Sequence, residues 1–179
     1  MKAYRKPSGV YIELDDRTPV SSTLVQVAPR PSVMHVFASN WNTAPMDPAI
    51  CWVMDVVAAK KLMWLKIKAE REKRKYTGGV KVGTLWFDSD ANSRSQYNTM
   101  LSMAVEQALP TTYAFRPAWK TMSGATTPMT VSLVRQIRDA ALINEAAIFD
   151  NAESHKTAME ASATPLSYSF ASGWPPTFA

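Results

Sequence analysis

The sequence predicts an α+β protein: two β-hairpins forming one small antiparallel sheet packed by helices, a long C-terminal helix, and a small N-terminal β module. Three observations lead there. Short apolar runs flank Gly83-Thr84 and Ser123-Gly124, which is the turn chemistry of hairpins. Apolar residues recur at helical spacing from Thr130 to about Ser162 with no Gly or Pro between them. Pro29, Pro31, Pro45 and Pro48 crowd residues 28–50, which excludes a long helix there. The expected division is an N-terminal β module with a Pro-rich connector (1–50), an α+β domain (51–162) and an aromatic contact segment (163–179).

The elements follow in order. Residues 2–5 and 10–14 read as strands around the turn sequence KPSG, with a third strand in 22–27 and a fourth in 32–38. A helix is expected from about Asp55 to Tyr76, with Val56, Met63, Trp64 and Ile67 as its apolar stripe and Gly78-Gly79 as its stop. The strands VKV and LWF come next. Asp88, Ser89 or Asp90 then caps a helix that runs to about Ala108, and Pro110 ends it. RPAWKTM and TTPMT make the second hairpin, and Thr130 caps the long helix. Trp86 and Trp119, one on each hairpin, are expected to share one core.

Bulk properties bound the function. A length of 179 residues permits one domain of ordinary size, or a domain plus a small appendage, and an apolar fraction of 46% is enough for a real core. Cys51 is the lone cysteine, so no intrachain disulfide can form, and its AICWVM context reads as a buried structural thiol. No apolar run is long enough to span a membrane, and the N-terminus lacks the apolar stretch of a secretory signal. Residues 60–75 hold eight basic and two acidic side chains, a local net charge of +6 in a chain of net +5. The charge therefore belongs to one helix. Glu70 and Glu72 interrupt it and no nucleic-acid motif accompanies it, so it reads as a solvated face or a contact to an acidic neighbour.

The stretch YTGGVKVGTLWFDSDANSRSQY tempts with glycines and alternating acids. A phosphate cradle needs glycines directly before a helix, whereas these precede strands. A calcium loop starting at Asp88 would need glycine sixth and glutamate twelfth, where Ser93 and Thr99 stand. Helix capping accounts for Asp88, Asp90 and Asn92. His35 and His155 have no partners at zinc spacing, and no nucleophile elbow exists. No catalytic, metal or cofactor residue is expected, and the protein is not read as an enzyme.

Taken together, IKAEREKRKYTGGVKVGTLWFDSDANSRSQY, AWKTMSGATTPMT and AIFDNAESHKTAM resemble, in that order, an uncharacterised domain of tailed-phage and prophage proteins encoded beside tail-fibre genes. The resemblance covers residues 66–160, and PTTYAFRPAW departs from it in carrying more aromatic and proline residues. It implies a structural tail protein, a tail-fibre-associated adaptor or attachment component, or alternatively a tail-fibre assembly chaperone not retained in the virion. It implies other tail proteins, fibre or baseplate, as partners, and the virion tail as location after assembly in the bacterial host cytoplasm. Neither membrane nor nucleic acid is an expected partner. Contact residues are sought in the uncharged end, where Tyr168, Phe170, Trp174 and Phe178 would burden a free monomer with apolar surface. They are also sought in the far half of the long helix, where Ile148 and Met159 lie in a stripe with Ala147, Ala152 and His155, expected to overhang the core and to support weak self-association at most.

Overall fold

Alternation and turn chemistry place the first strands as expected. The computed structural model describes residues 1–178, the side chain of Ile50 excepted. Strands β1 (Lys2–Arg5) and β2 (Tyr11–Leu14) pair antiparallel, Lys2 opposite Leu14, through a turn in which Gly9 takes φ +85°. Strand β3 (Val25–Val27) adds to the other edge of β1, giving the order β2-β1-β3. Strand β4 (His35–Phe37) leads to a 3-10 turn, Trp41–Thr43, and to the short helix α1 (Pro48–Cys51), capped by Asp47. Strand β5 (Trp52–Met54) then returns to pair antiparallel with β4.

These pairings move a boundary. The chain forms two compact units, Met1–Leu62 with Thr164–Leu166 and Met63–Ala163 with Ser167–Ala179. The expected break at residue 51 fails because β5 belongs by its ladder to β4, inside the first unit. The core of that unit joins Ala3, Val27, Ala28, Cys51 and Trp52. Trp52 stacks on Phe37 with ring centroids 4.4 Å apart, and its indole N–H donates to the Ala28 carbonyl at 3.0 Å. Cys51 is fully buried and free, as its context predicts, and burial pushes its thiol up.

Helix α2 (Val56–Thr77) and the hairpin of β6 (Val80–Val82) and β7 (Leu85–Phe87), turning at Gly83, follow the sequence reading. Asp90 is the cap of α3 (Ala91–Glu106), accepting the N–H groups of Asn92 and Ser93. Strands β8 (Ala114–Lys120) and β9 (Thr126–Thr130) form the second hairpin, and α4 (Val131–Ala161) starts at Thr130, whose hydroxyl accepts from Leu133 N–H.

The hairpins do not merge into one sheet. They are separate two-stranded sheets, joined by one backbone bond from Met122 N–H to the Trp86 carbonyl at 2.9 Å. Pro117 in β8 and Pro128 in β9 remove ladder donors, and β8 shifts register twice, so neither strand offers a regular edge. The tryptophans do not share one core either. Phe87 is fully buried with Val80, Tyr97, Met100, Met129, Val134 and Ile137, and Trp119 packs partly against this group, 5.7 Å from Tyr97. Period-two alternation turns Trp86 to the opposite side from Phe87, where Lys81 and Phe178 meet it.

The far half of α4 does not overhang. Helix α2 runs antiparallel along it: Lys75 reaches Glu145, while Met63 and Ile67 cluster with Ala152 and Met159. Residues 63–77 of α2 span about 22 Å, close to half the length of a helix about 46 Å long.

Candidate functional site

The densest polar constellation lies where α2, α3 and α4 converge. Arg94, in the first turn of α3, is its centre. Its Nε donates to the Ser89 carbonyl, one Nη to Glu145 Oε1, and the other to the Lys75 carbonyl at 2.9 Å. The last bond satisfies a carbonyl in the final turn of α2, and a cation there also suits the helix dipole. Lys75 Nζ reaches Glu145 Oε2 at 3.2 Å, so two cations hold one carboxylate. Partial burial alone would raise the Glu145 carboxyl, but the hydrogen bonds and charges of Arg94 and Lys75 outweigh it and hold the group below its usual range. An anion held this way is a clamp between three helices and a poor proton donor or acceptor near neutral pH.

Beside the clamp, between α3 and α4, is a cavity of about 170 Å³ lined by Val80, Tyr97, Ile137, Ala141 and Leu142. Ligand pockets for small molecules usually measure about 300–1,000 Å³, so this space suits a side chain better than a cofactor. The Tyr97 hydroxyl donates to the Asp88 carbonyl at 3.1 Å, and burial, with Asp88 and Asp90 nearby, raises its pKa strongly. Asp90 is drawn below the usual carboxylate range by its bonds to Ser93 and Asn92. Asp88 is exposed, and among the described residues no group of three or more His, Cys, Asp and Glu side chains gathers as a metal site.

The second constellation is the C-terminal segment, which returns along α2 and α4. Tyr168, Phe170 and Trp174 pack on the cluster of Met63, Ile67, Ala152 and Met159. His155 pins the segment. Its Nε2–H donates to the Ser172 carbonyl at 2.9 Å, its Nδ1 lies 2.9 Å from the Tyr168 hydroxyl, and its ring sits 5.1 Å from Trp174. Arg74 donates to the Pro175 carbonyl at 3.3 Å and lies over the Trp174 ring. Further on, Phe178 N–H donates to the Gly78 carbonyl at 2.9 Å, and a Cβ at Gly78 would stand 2.9 Å from Thr177.

All six residues expected to meet a partner therefore have partners within the chain. Met159, at 0% exposure, is buried beneath α2 and the returning segment, and Ile148, at 3%, is buried beside Arg71 and Lys75 of α2. Tyr168, Phe170, Trp174 and Phe178 are half-buried on the domain itself, because a segment so poor in charge finds apolar cover close at hand. The basic helix is likewise engaged. Arg74 pairs with Glu70, Arg71 with Glu72, and Lys75 with Glu145. Sequence reasoning passed over Arg94 and Glu145, whose single letters carry no motif. It also passed over Leu142, Ile143 and Phe149, which α4 exposes.

Residues 58–172 match the family model described as "Domain of unknown function (DUF4376)", well over half of the chain. The chain belongs to that family. No curated protein and no solved structure matches it. The DUF4376 region contains the three-helix clamp and most of the returning segment, while the contacts of Arg74 with Pro175 and of Gly78 with Phe178 reach past its end. Among the described residues no helix is long and apolar enough to cross a membrane.

Proposed function

We propose that the protein is a structural component of a bacteriophage tail, a tail-fibre-associated adaptor or attachment component that works through protein–protein contacts. The observation that carries this reading is the ordered set of motifs in residues 66–160, with its resemblance to a domain of tailed-phage and prophage proteins. The use of the polar side chains supports it further: Arg94, Glu145, Lys75, Arg74 and His155 brace helices and a chain segment. In this reading the protein is not an enzyme, its partners are fibre or baseplate proteins, and it resides in the virion tail after assembly in the host cytoplasm.

One observation favours the second reading, a tail-fibre assembly chaperone that leaves before the particle matures. The C-terminal aromatics close on their own domain, so the free chain needs no permanent partner to cover them. Quantitative mass spectrometry of purified particles and of the lysate they came from separates the two. A fixed ratio of this chain to fibre protein in particles is expected for the adaptor. Abundance in the lysate with none in particles identifies the chaperone, and a chain expressed without any fibre protein sinks both.

A further inference from the structure

Beside its buried stripe and round to its outer side, α4 carries a second apolar patch that the described residues leave largely uncovered. Leu142, Ile143 and Phe149 are 61%, 73% and 52% exposed, with the small Ala146 between them. A groove of about 330 Å³ runs beside it, walled by Arg71, Glu72, Ala146 and Phe149, with the Arg71 guanidinium 5.8 Å from the Phe149 ring.

The charges that α4 itself carries on either side of the patch are arranged antisymmetrically, and Arg71 and Glu72 of α2, which flank its middle, pair with each other. Toward the start of α4 lie the exposed Arg135 and Arg138, and toward its end lie Asp150 and Glu153. Asp139, paired with Arg138, and Lys156, 3.8 Å from Glu153, temper each end without reversing it. We infer that this face of α4 binds the same face of a second copy, with the helices antiparallel and the two-fold axis near Ala146. A two-fold contact requires a self-complementary surface, and this one has apolar residues at the centre and opposite signs at its two ends. Antiparallel pairing sets Arg138, eight residues before Ala146, across from Glu153 of the second copy, seven residues after it. Parallel pairing would set Arg135 and Arg138 against themselves. Ala146 at the crossing lets the axes approach, and Leu142 and Ile143 of one copy come against Phe149 and the groove of the other. Three large apolar residues per copy give a contact below the roughly 1,600 Å² of a standard interface, so the dimer is reversible, with Kd of about 10–100 µM.

Sedimentation of the full chain from about 5 to about 500 µM, a range that brackets this affinity, reads the result directly. Mass rising from monomer to dimer across the range is expected. Phe149→Glu and Ile143→Glu, both at exposed positions, should each weaken association about tenfold or more while circular dichroism shows the helix content unchanged. Arg138→Glu and Glu153→Arg should each weaken it a few-fold, and an equimolar mixture of those two variants should restore it, because the mixed dimer regains both charge pairs. A wild-type chain monomeric throughout gives the face to another occupant and overturns the inference. So does a dimer indifferent to Phe149→Glu, or a charge-reversed mixture that fails to recover.

Discussion

At the start of α4, Val134 and Ile137 meet Phe87, Met100 and Met129, supplied by two hairpins and α3. Toward its end, Ala152 and Met159 meet Met63 and Ile67, and the cover is the returning segment with Tyr168, Phe170 and Trp174. One helix thus buries one continuous stripe in two ways. The first core is closed by regular elements and holds the large, fully buried Phe87. The second is closed by irregular chain whose rings are half-exposed and whose backbone is pinned by His155 and Arg74. Where periodic elements face each other, burial alone fixes the packing. Where irregular chain does the covering, side chains must hold its backbone, because no ladder or helix satisfies its carbonyls.

The largest expected effect tests the first core. Phe87→Ala should cost about 3–5 kcal/mol in denaturant unfolding, the usual range for emptying a buried aromatic site. A loss under about 1 kcal/mol would mean that the hairpin does not seal α4. Next comes Trp174→Ala in the second core, expected to cost about 2–3 kcal/mol because the ring is only half-buried. The comparison also predicts how it fails: hydrogen exchange should rise along the far half of α4 and in α2 while the amides of β6 and β7 stay protected. Uniform loss of protection would show that the two cores are one cooperative unit. The smallest effect probes the clamp between them. Glu145→Gln should cost about 1 kcal/mol at neutral pH, as two partly exposed ion pairs weaken. Because the folded-state pKa of Glu145 is lowered, its contribution is full above the ordinary glutamate value and is lost as pH falls through the lowered one. The gap between wild type and variant should therefore close in acid, and a gap that persists at pH 2 would mean that charge is not its source.

The sequence made the elements around the first core legible but not its central ring, since Trp86 was expected inside where Phe87 stands, and it made the second legible only in part. Periodicity and turn residues located α2, α4 and both hairpins to within a residue or two, because hydrophobic spacing is a local signal. The same spacing marked Ile148 and Met159 as a stripe without saying what covers it. The cover of Met159 comes from α2 and from residues 168–174, that of Ile148 from α2, and such long-range matching leaves no trace in any window of sequence. The aromatic end was readable as contact-making, but whether it contacts its own domain or another depends on which apolar surface is nearest. The clamp was least visible. Arg94, Lys75 and Glu145 come from three helices, each at an ordinary-looking polar position. The failed merger of the hairpins was written in Pro117 and Pro128, whose missing donors outweigh the alternation around them.

The returning segment also sets an order in time. Translation releases α2, both hairpins and α4 before residues 167–178 leave the ribosome. Until then Met63, Ile67 and Met159 lack their lid, and the outer face of Trp86 has no Phe178 against it. The segment then has to settle against Gly78, where a Cβ would meet the Arg74 carbonyl oxygen at 2.5 Å and the Thr177 methyl at 2.9 Å. Until residues 167–178 dock, the chain therefore exposes more apolar surface than it does afterwards.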